Sequence, residues 1–257
     1  MGDFTFKARQ YEFNLVNAFG CARASLLAYE DAAVGNRAAT EWGFEKFEAF
    51  TRDQHSGIVL GNADMVLIAF RGTDERADWR PNLNILFKRS PLGFVHRGFM
   101  QATELFWPDL PQRILEFCDE DQVIWVTGHS LGGALAVLTA AKLLVEHDLA
   151  IAGLYTFGQP PVGTGGFCTT FEKRFSNRLF RFVNHTDAVS DAPILFREHV
   201  GEVRYFDTSG ALWEGEPPWR VSLLDHMRAP AKFGGLAQFA AHSMKNYAEL
   251  LAKRISE

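Results

Sequence analysis

Apolar residues recur along this chain with two periods, and each period marks a kind of element. Between residues 14 and 29 they fall at helical spacing (Leu15, Ala18, Phe19, Ala22, Leu26, Tyr29), which predicts an amphipathic helix packed on a sheet. Residues 56–60, the polar turn 61–64 and the apolar run 65–70 predict a hairpin whose second strand is buried. Residues 98–117 carry Phe99, Ala102, Leu105 and Phe106 on one face, and Pro108 predicts a break in that helix. Continuous apolar runs at 123–127, 150–157 and 179–184, with a shorter one at 203–206, predict buried strands. A last helix is predicted over 243–253, with Met244, Tyr247, Leu250 and Leu251 on one side. Strands alternating with helices define an α/β class: a central, mostly parallel sheet with helices on both faces. No internal repeat or low-complexity tract interrupts the pattern, so a single domain over 1–257 is expected.

One junction between these elements carries chemistry. Gly128-His129-Ser130-Leu131-Gly132 follows the strand 123–127 directly and opens a proline-free helix of small residues. A serine at the apex of such a strand–turn–helix is held in a strained backbone conformation that lifts its hydroxyl from the end of the sheet, and flanking glycines give it room. Ser130 is therefore the candidate nucleophile for attack on an acyl carbon.

A serine hydroxyl needs a base to take its proton and an acid to orient that base, in the chain order Ser, acid, His. Functional groups of open α/β sheets gather beyond the carboxyl ends of the strands. Asp187, three residues past the strand 179–184, is the best-placed acid, with Asp191 as the fallback. Three histidines follow it. His242 sits on a turn anchored by the last helix, whereas His199 and His226 have no such element to fix them. An oxyanion hole needs two preset donors. The backbone N–H of Leu131, at the positive end of a helix dipole, supplies one, and Thr73, in the loop after the strand 65–70, supplies the other.

Composition narrows the partners. The net charge is −5 with scattered lysines and arginines, which leaves no basic face for nucleic acid. The longest apolar stretch, 134–141, is too short to span a bilayer. Cys21, Cys118 and Cys168 are odd in number and lack a C-x-x-C pairing, which argues against a disulfide framework and a zinc site. The first residues read as neither an export nor a lipidation signal, and a cytoplasmic location is expected.

Taken together, these segments resemble the class 3, fungal-lipase-type branch of the α/β-hydrolases. The matching runs are Ala69-Phe70-Arg71-Gly72-Thr73, His96-Arg97-Gly98-Phe99, Gly128-His129-Ser130-Leu131-Gly132-Gly133, Tyr155-Thr156-Phe157-Gly158-Gln159-Pro160, Val183-Asn184-His185-Thr186-Asp187 and His242-Ser243-Met244-Lys245-Asn246-Tyr247. The resemblance implies a Ser130–Asp187–His242 triad, an oxyanion hole of Thr73 with Leu131, and no metal or organic cofactor. It implies hydrolysis of carboxylic esters, foremost acylglycerols. Soluble or aromatic (feruloyl-type) esters and phospholipids are the rival substrates, and a non-catalytic scaffold is the remote one. Asn82 stands where many members carry an aspartate that holds the oxyanion threonine.

The family's lid corresponds to residues 74–95. Helical after Pro81, it would align Trp79, Leu83, Leu86 and Phe87 as an apolar cover over the acyl site, either movable or static on its own core, and a transient contact of the protein with a lipid interface is expected. Trp79, Leu83, Phe87 and His129 are the candidate substrate contacts. His129, next to a residue at a sharp turn, is also expected to pack under the elbow. The aromatic-rich stretch 211–239 is expected to wall the acyl pocket.

Overall fold

The computed structural model describes residues 4–73, 86–118, 121–175, 177–185, 187, 198–228 and 241–257. Among these residues the main sheet has eight strands in the order β1-β2-β3-β6-β7-β8-β9-β10. These are β1 (Lys46–Arg52), β2 (His55–Gly61), β3 (Met65–Phe70), β6 (Val123–His129), β7 (Ile151–Phe157), β8 (Leu179–Asn184), β9 (Glu202–Phe206) and β10 (Leu212–Glu214). The central pairs β3–β6, β6–β7, β7–β8 and β8–β9 are parallel. The outer pairs β1–β2, β2–β3 and β9–β10 are antiparallel.

Alternate residues of the central strands feed two separate cores, as strand geometry requires. Val66, Ile68, Phe70, Ile124 and Val126 join helices α3 (Arg97–Phe106), α4 (Leu110–Phe117), α5 (Leu131–His147) and α6 (Gly165–Arg174) on one face. Met65, Leu67, Ala69, Trp125 and Tyr155 join α1 (Leu15–Leu27), α2 (Ala32–Glu41) and the last helix, α8 (Met244–Ser256), on the other. Helices therefore cover both faces, and the strands read as unbroken apolar runs because neither face meets water.

The predicted elements reappear within a few residues of their expected ends. Asn14 caps α1 by accepting from the backbone N–H groups of Val16 and Asn17. The break near Pro108 separates α3 from α4. Helix α2 and strand β1 occupy a stretch whose periodicity announced neither.

The lid expectation needs correction in its second half. Residues 87–96 form a hairpin, β4 (Phe87–Ser90) against β5 (Gly93–His96), in which Phe87 pairs with His96. Leu86 is 47% exposed and its carbonyl accepts from Arg97 N–H. Leu86 and Phe87 thus share no helical face. Pro91 has no N–H to give a helix and Gly93 takes a φ of 136°, so the backbone groups of 87–96 pair across the turn instead. Trp79, Asn82 and Leu83 lie outside the described residues, as do Asp191 and the His226 side chain. The stretch 211–239 opens with β10 and helix α7 (Trp219–Arg228). Trp213 donates to Asp207 Oδ2 at 2.9 Å, and Trp219 is 69% exposed. Those two side chains reach the surface; Phe233 and Phe239 lie outside the described residues.

Candidate active site

Thr73, Ser130, Leu131, Asp187 and His242 lie on loops or helix ends that follow the parallel strands or pack against them, where chain reversals leave a shared crevice, whereas His129 ends β6 and Phe87 lies in the separate β4–β5 hairpin. Ser130 follows β6 with φ 57° and ψ −128°, a conformation that non-glycine residues rarely adopt. Surrounding hydrogen bonds hold it there: Ser130 N–H donates to Phe157 O at 2.9 Å, and Gly133 N–H donates to Ser130 O at 2.9 Å. The flanking glycines are a packing necessity. A Cβ on Gly128 would come within 2.2 Å of Gly132 O, and one on Gly132 within 2.3 Å of Phe70 O.

Helix α5 begins at Leu131, so its first N–H groups point into the crevice. The loop after β3 is pressed against the elbow. A Cβ added to Gly72 would sit 2.9 Å from Ser130 Cβ and 2.8 Å from His129 O. Thr73, the candidate second oxyanion donor, is the next residue of that loop.

Asp187 and His242 meet. Nδ1 of His242 lies 2.9 Å from both Oδ1 and Oδ2 of Asp187, whose carboxylate is fully buried. An imidazole nitrogen facing a carboxylate carries the hydrogen, so Nε2 is the bare, basic nitrogen. Among the described residues Nε2 is buried and has no hydrogen-bond partner; the Ser130 hydroxyl does not bond to it in this state. Catalytic hydrogen bonds of substrate-free enzymes are commonly long and tighten when substrate arrives. An unpaired basic nitrogen is costly in a buried place unless something transient occupies it.

The loop that carries His242 is pinned at several atoms. Asn184 Nδ2 donates to Ala241 O at 2.8 Å, and the ring of His129 reaches His242 O at 2.6 Å. Gly158, after β7, has φ 56°, and a Cβ there would lie 2.7 Å from both Asp187 Oδ2 and His242 Nδ1. Tyr247, fully buried in α8, donates to Asp187 Oδ2 at 2.7 Å and accepts from Asn184 N–H at 3.0 Å. Burial first, then the Asp187 charge and this bond, pushes its phenol well above the usual range, so it stays a donor.

His129 is corrected as a substrate contact. Its ring is buried, with Nδ1 2.7 Å from Tyr29 Oη and Nε2 on the His242 carbonyl, so both nitrogens are spent on protein partners. It packs under the elbow. His199 lies just before β9 as a partly buried residue, and it is Nδ1 of His242 that meets the Asp187 carboxylate. Periodicity groups Tyr29 and Tyr247 with core apolar positions, and Gly158 reads as an ordinary strand stop. Only their place in space reveals them.

The sequence matches the profile of the family described as lipase (class 3) over residues 67–196, half the chain and nearly all of the strand–elbow–acid segment. The chain belongs to the class 3 lipase family. A phospholipase A1-II 4 of Oryza sativa subsp. japonica is 30% identical over 178 residues, 58% of this chain and 45% of that protein. The triacylglycerol lipase OBL1 of Ricinus communis is 27% identical, with 73% of this chain and 49% of that protein aligned. This class 3 lipase chain thus spans about half the length of these curated relatives. Its fold matches the triacylglyceride lipase of Rhizomucor miehei with a TM-score of 0.65 at 21% identity, covering 86% of this chain and 90% of the other. The fold is that of the fungal lipases, an α/β-hydrolase arrangement. Among the described residues no helix is long and apolar enough to cross a membrane.

Proposed function

We propose that this class 3 lipase chain hydrolyses the carboxylic esters of acylglycerols through an acyl-Ser130 intermediate. The single observation that carries the reading is the buried Asp187–His242 pair, whose main chain is held by the ring of His129, the residue before the strained Ser130. On this reading Ser130 Oγ attacks the acyl carbon while His242 Nε2 takes its proton. The N–H groups of Leu131 and Thr73 receive the oxyanion. His242 then returns the proton to the leaving alcohol and activates water for deacylation, and Asp187 stabilises the charged imidazole without itself being protonated.

A phospholipid offers the same acyl ester with a different headgroup. The rice relative named as a phospholipase A1 makes that the second reading, and the castor relative named as a triacylglycerol lipase supports the first. The expected contact with a lipid surface is transient and belongs to the same proposal, as does a cytoplasmic location.

A fluorophosphonate probe is expected to label the wild-type chain and not Ser130→Ala. Hydrolysis of p-nitrophenyl esters should fall by about four to six orders of magnitude in that variant. Equal hydrolysis by the two proteins would overturn the proposal. Release rates from emulsified triacylglycerol against phosphatidylcholine vesicles separate the two substrates.

A further inference from the structure

A continuous hydrogen-bonded chain runs behind the nucleophile and joins four segments distant in sequence. Gly72 N–H donates to Tyr29 Oη at 3.1 Å; Tyr29 Oη lies 2.7 Å from His129 Nδ1; His129 Nε2 lies 2.6 Å from His242 O. Its hydrogens can be assigned one way only. A carbonyl cannot donate, so His129 Nε2 must carry the hydrogen that reaches His242 O. In a neutral ring Nδ1 is then bare and accepts from the Tyr29 hydroxyl, whose oxygen is left to accept from Gly72 N–H. Burial keeps both groups in these states, pushing the imidazole down to about 3 and the phenol up to about 12.

We propose that Tyr29 and His129 are positioning residues that hold the oxyanion loop and the catalytic base in one fixed relation. The proposal rests on the ester-hydrolase reading above. One end of the chain anchors the Gly72 N–H, the last fixed peptide before the one that carries the Thr73 N–H. The other end fixes the main chain of His242, whose ring is already tied to Asp187 through Nδ1. The two histidine rings also lie against each other, with centroids 4.6 Å apart. A neutral His129 matters there, because a second cation would oppose the imidazolium that forms on His242. His129 is the residue before Ser130, so all three reacting parts share one anchor. A displacement on the order of 1 Å in any of them costs about a hundredfold in rate.

Tyr29→Phe removes the central hydroxyl while keeping the ring, and His129→Gln keeps a donor for the His242 carbonyl while removing the Nδ1 acceptor. Each is expected to lower kcat about tenfold on a soluble p-nitrophenyl ester with KM changed less than twofold. The two act through one shared bond, so the double variant should be no more than about twofold slower than the slower single one. His129→Leu, which has neither function, should be at least about tenfold slower than His129→Gln at equal thermal stability. Rate losses that multiply in the double variant would overturn the proposal, as would lowered melting temperatures with kcat unchanged. A wild-type chain that neither hydrolyses esters nor takes a fluorophosphonate at Ser130 removes the ester-hydrolase reading itself, and the positioning role with it. Ser130 labelling of the wild type with unaltered kcat in the variants sinks the positioning role alone.

Discussion

Tyr247 and His242 compete for one oxygen: the tyrosine hydroxyl donates to Asp187 Oδ2 at 2.7 Å, and His242 Nδ1 reaches the same atom at 2.9 Å. The hydroxyl fixes the plane in which the carboxylate meets the imidazole, so removing that donor should lower kcat about tenfold on a soluble p-nitrophenyl ester. Tyr247→Phe also strands the Asn184 N–H in the core, which costs about 1–3 kcal/mol of stability. Steady-state kinetics with a urea titration test both parts, and an unchanged kcat contradicts the first.

Gly158 is the narrowest point of the acid–base pair. Alanine there would bring its methyl to 2.7 Å from Asp187 Oδ2 and His242 Nδ1 at a φ of 56°. The left-handed backbone costs about 1–2 kcal/mol, and the clash forces the imidazole off the carboxylate. Gly158→Ala should fold, lose kcat by about 10²-fold or more, and leave the Ser130→Ala background unchanged. Steady-state kinetics in both backgrounds decide it.

Ser130 stores strain, and the strain should be recoverable as stability. Its φ of 57° and ψ of −128° lie outside the regions that side chains with a Cβ favour. Such residues cost about 1–3 kcal/mol, which glycine relieves at some cost in chain entropy. Ser130→Gly should abolish hydrolysis while raising the unfolding free energy by about 1 kcal/mol. Denaturant titration of Ser130→Gly against Ser130→Ala isolates the backbone contribution, and equal midpoints would show the strain to be negligible.

His129 makes stability depend on pH. Burial, and secondarily the neighbouring His242, depresses its imidazole to about 3. The unfolded chain, with a value of about 6.5, then binds the proton first as pH falls. The contribution is full above the unfolded value and is lost as pH falls toward the folded one. His185, also depressed by burial, acts in the same direction. Between pH 7 and 5 the unfolding free energy should drop by roughly 2 kcal/mol on account of His129. In His129→Gln that part of the slope should vanish. Urea titrations at several pH values check it, and an identical slope in the variant would refute it.

What could be read without coordinates was local. The strands 65–70, 123–127 and 179–184, the elbow at Ser130 and the helix break at Pro108 each follow from residue type over a few neighbouring positions. Asp187 and His242 were also legible, since an acid just past a strand and a histidine anchored by a helix are statements about short stretches of chain. The rest depended on which distant surfaces the two cores press together. Tyr29 and His129 are 100 residues apart, and His129 and His242 are 113 apart. No spacing rule encodes a tyrosine hydroxyl lying between a loop amide and an imidazole. The same holds for Tyr247, whose apolar ring satisfies the helix period while its one polar atom meets Asp187 across 60 residues. The hairpin at 87–96 was likewise decided by pairing, because Phe87 fits a helical stripe until a partner strand meets its backbone hydrogen-bonding groups. Local chemistry determined which atoms could react, and the packing of α1 and α8 on one face of the sheet decided what holds them in place.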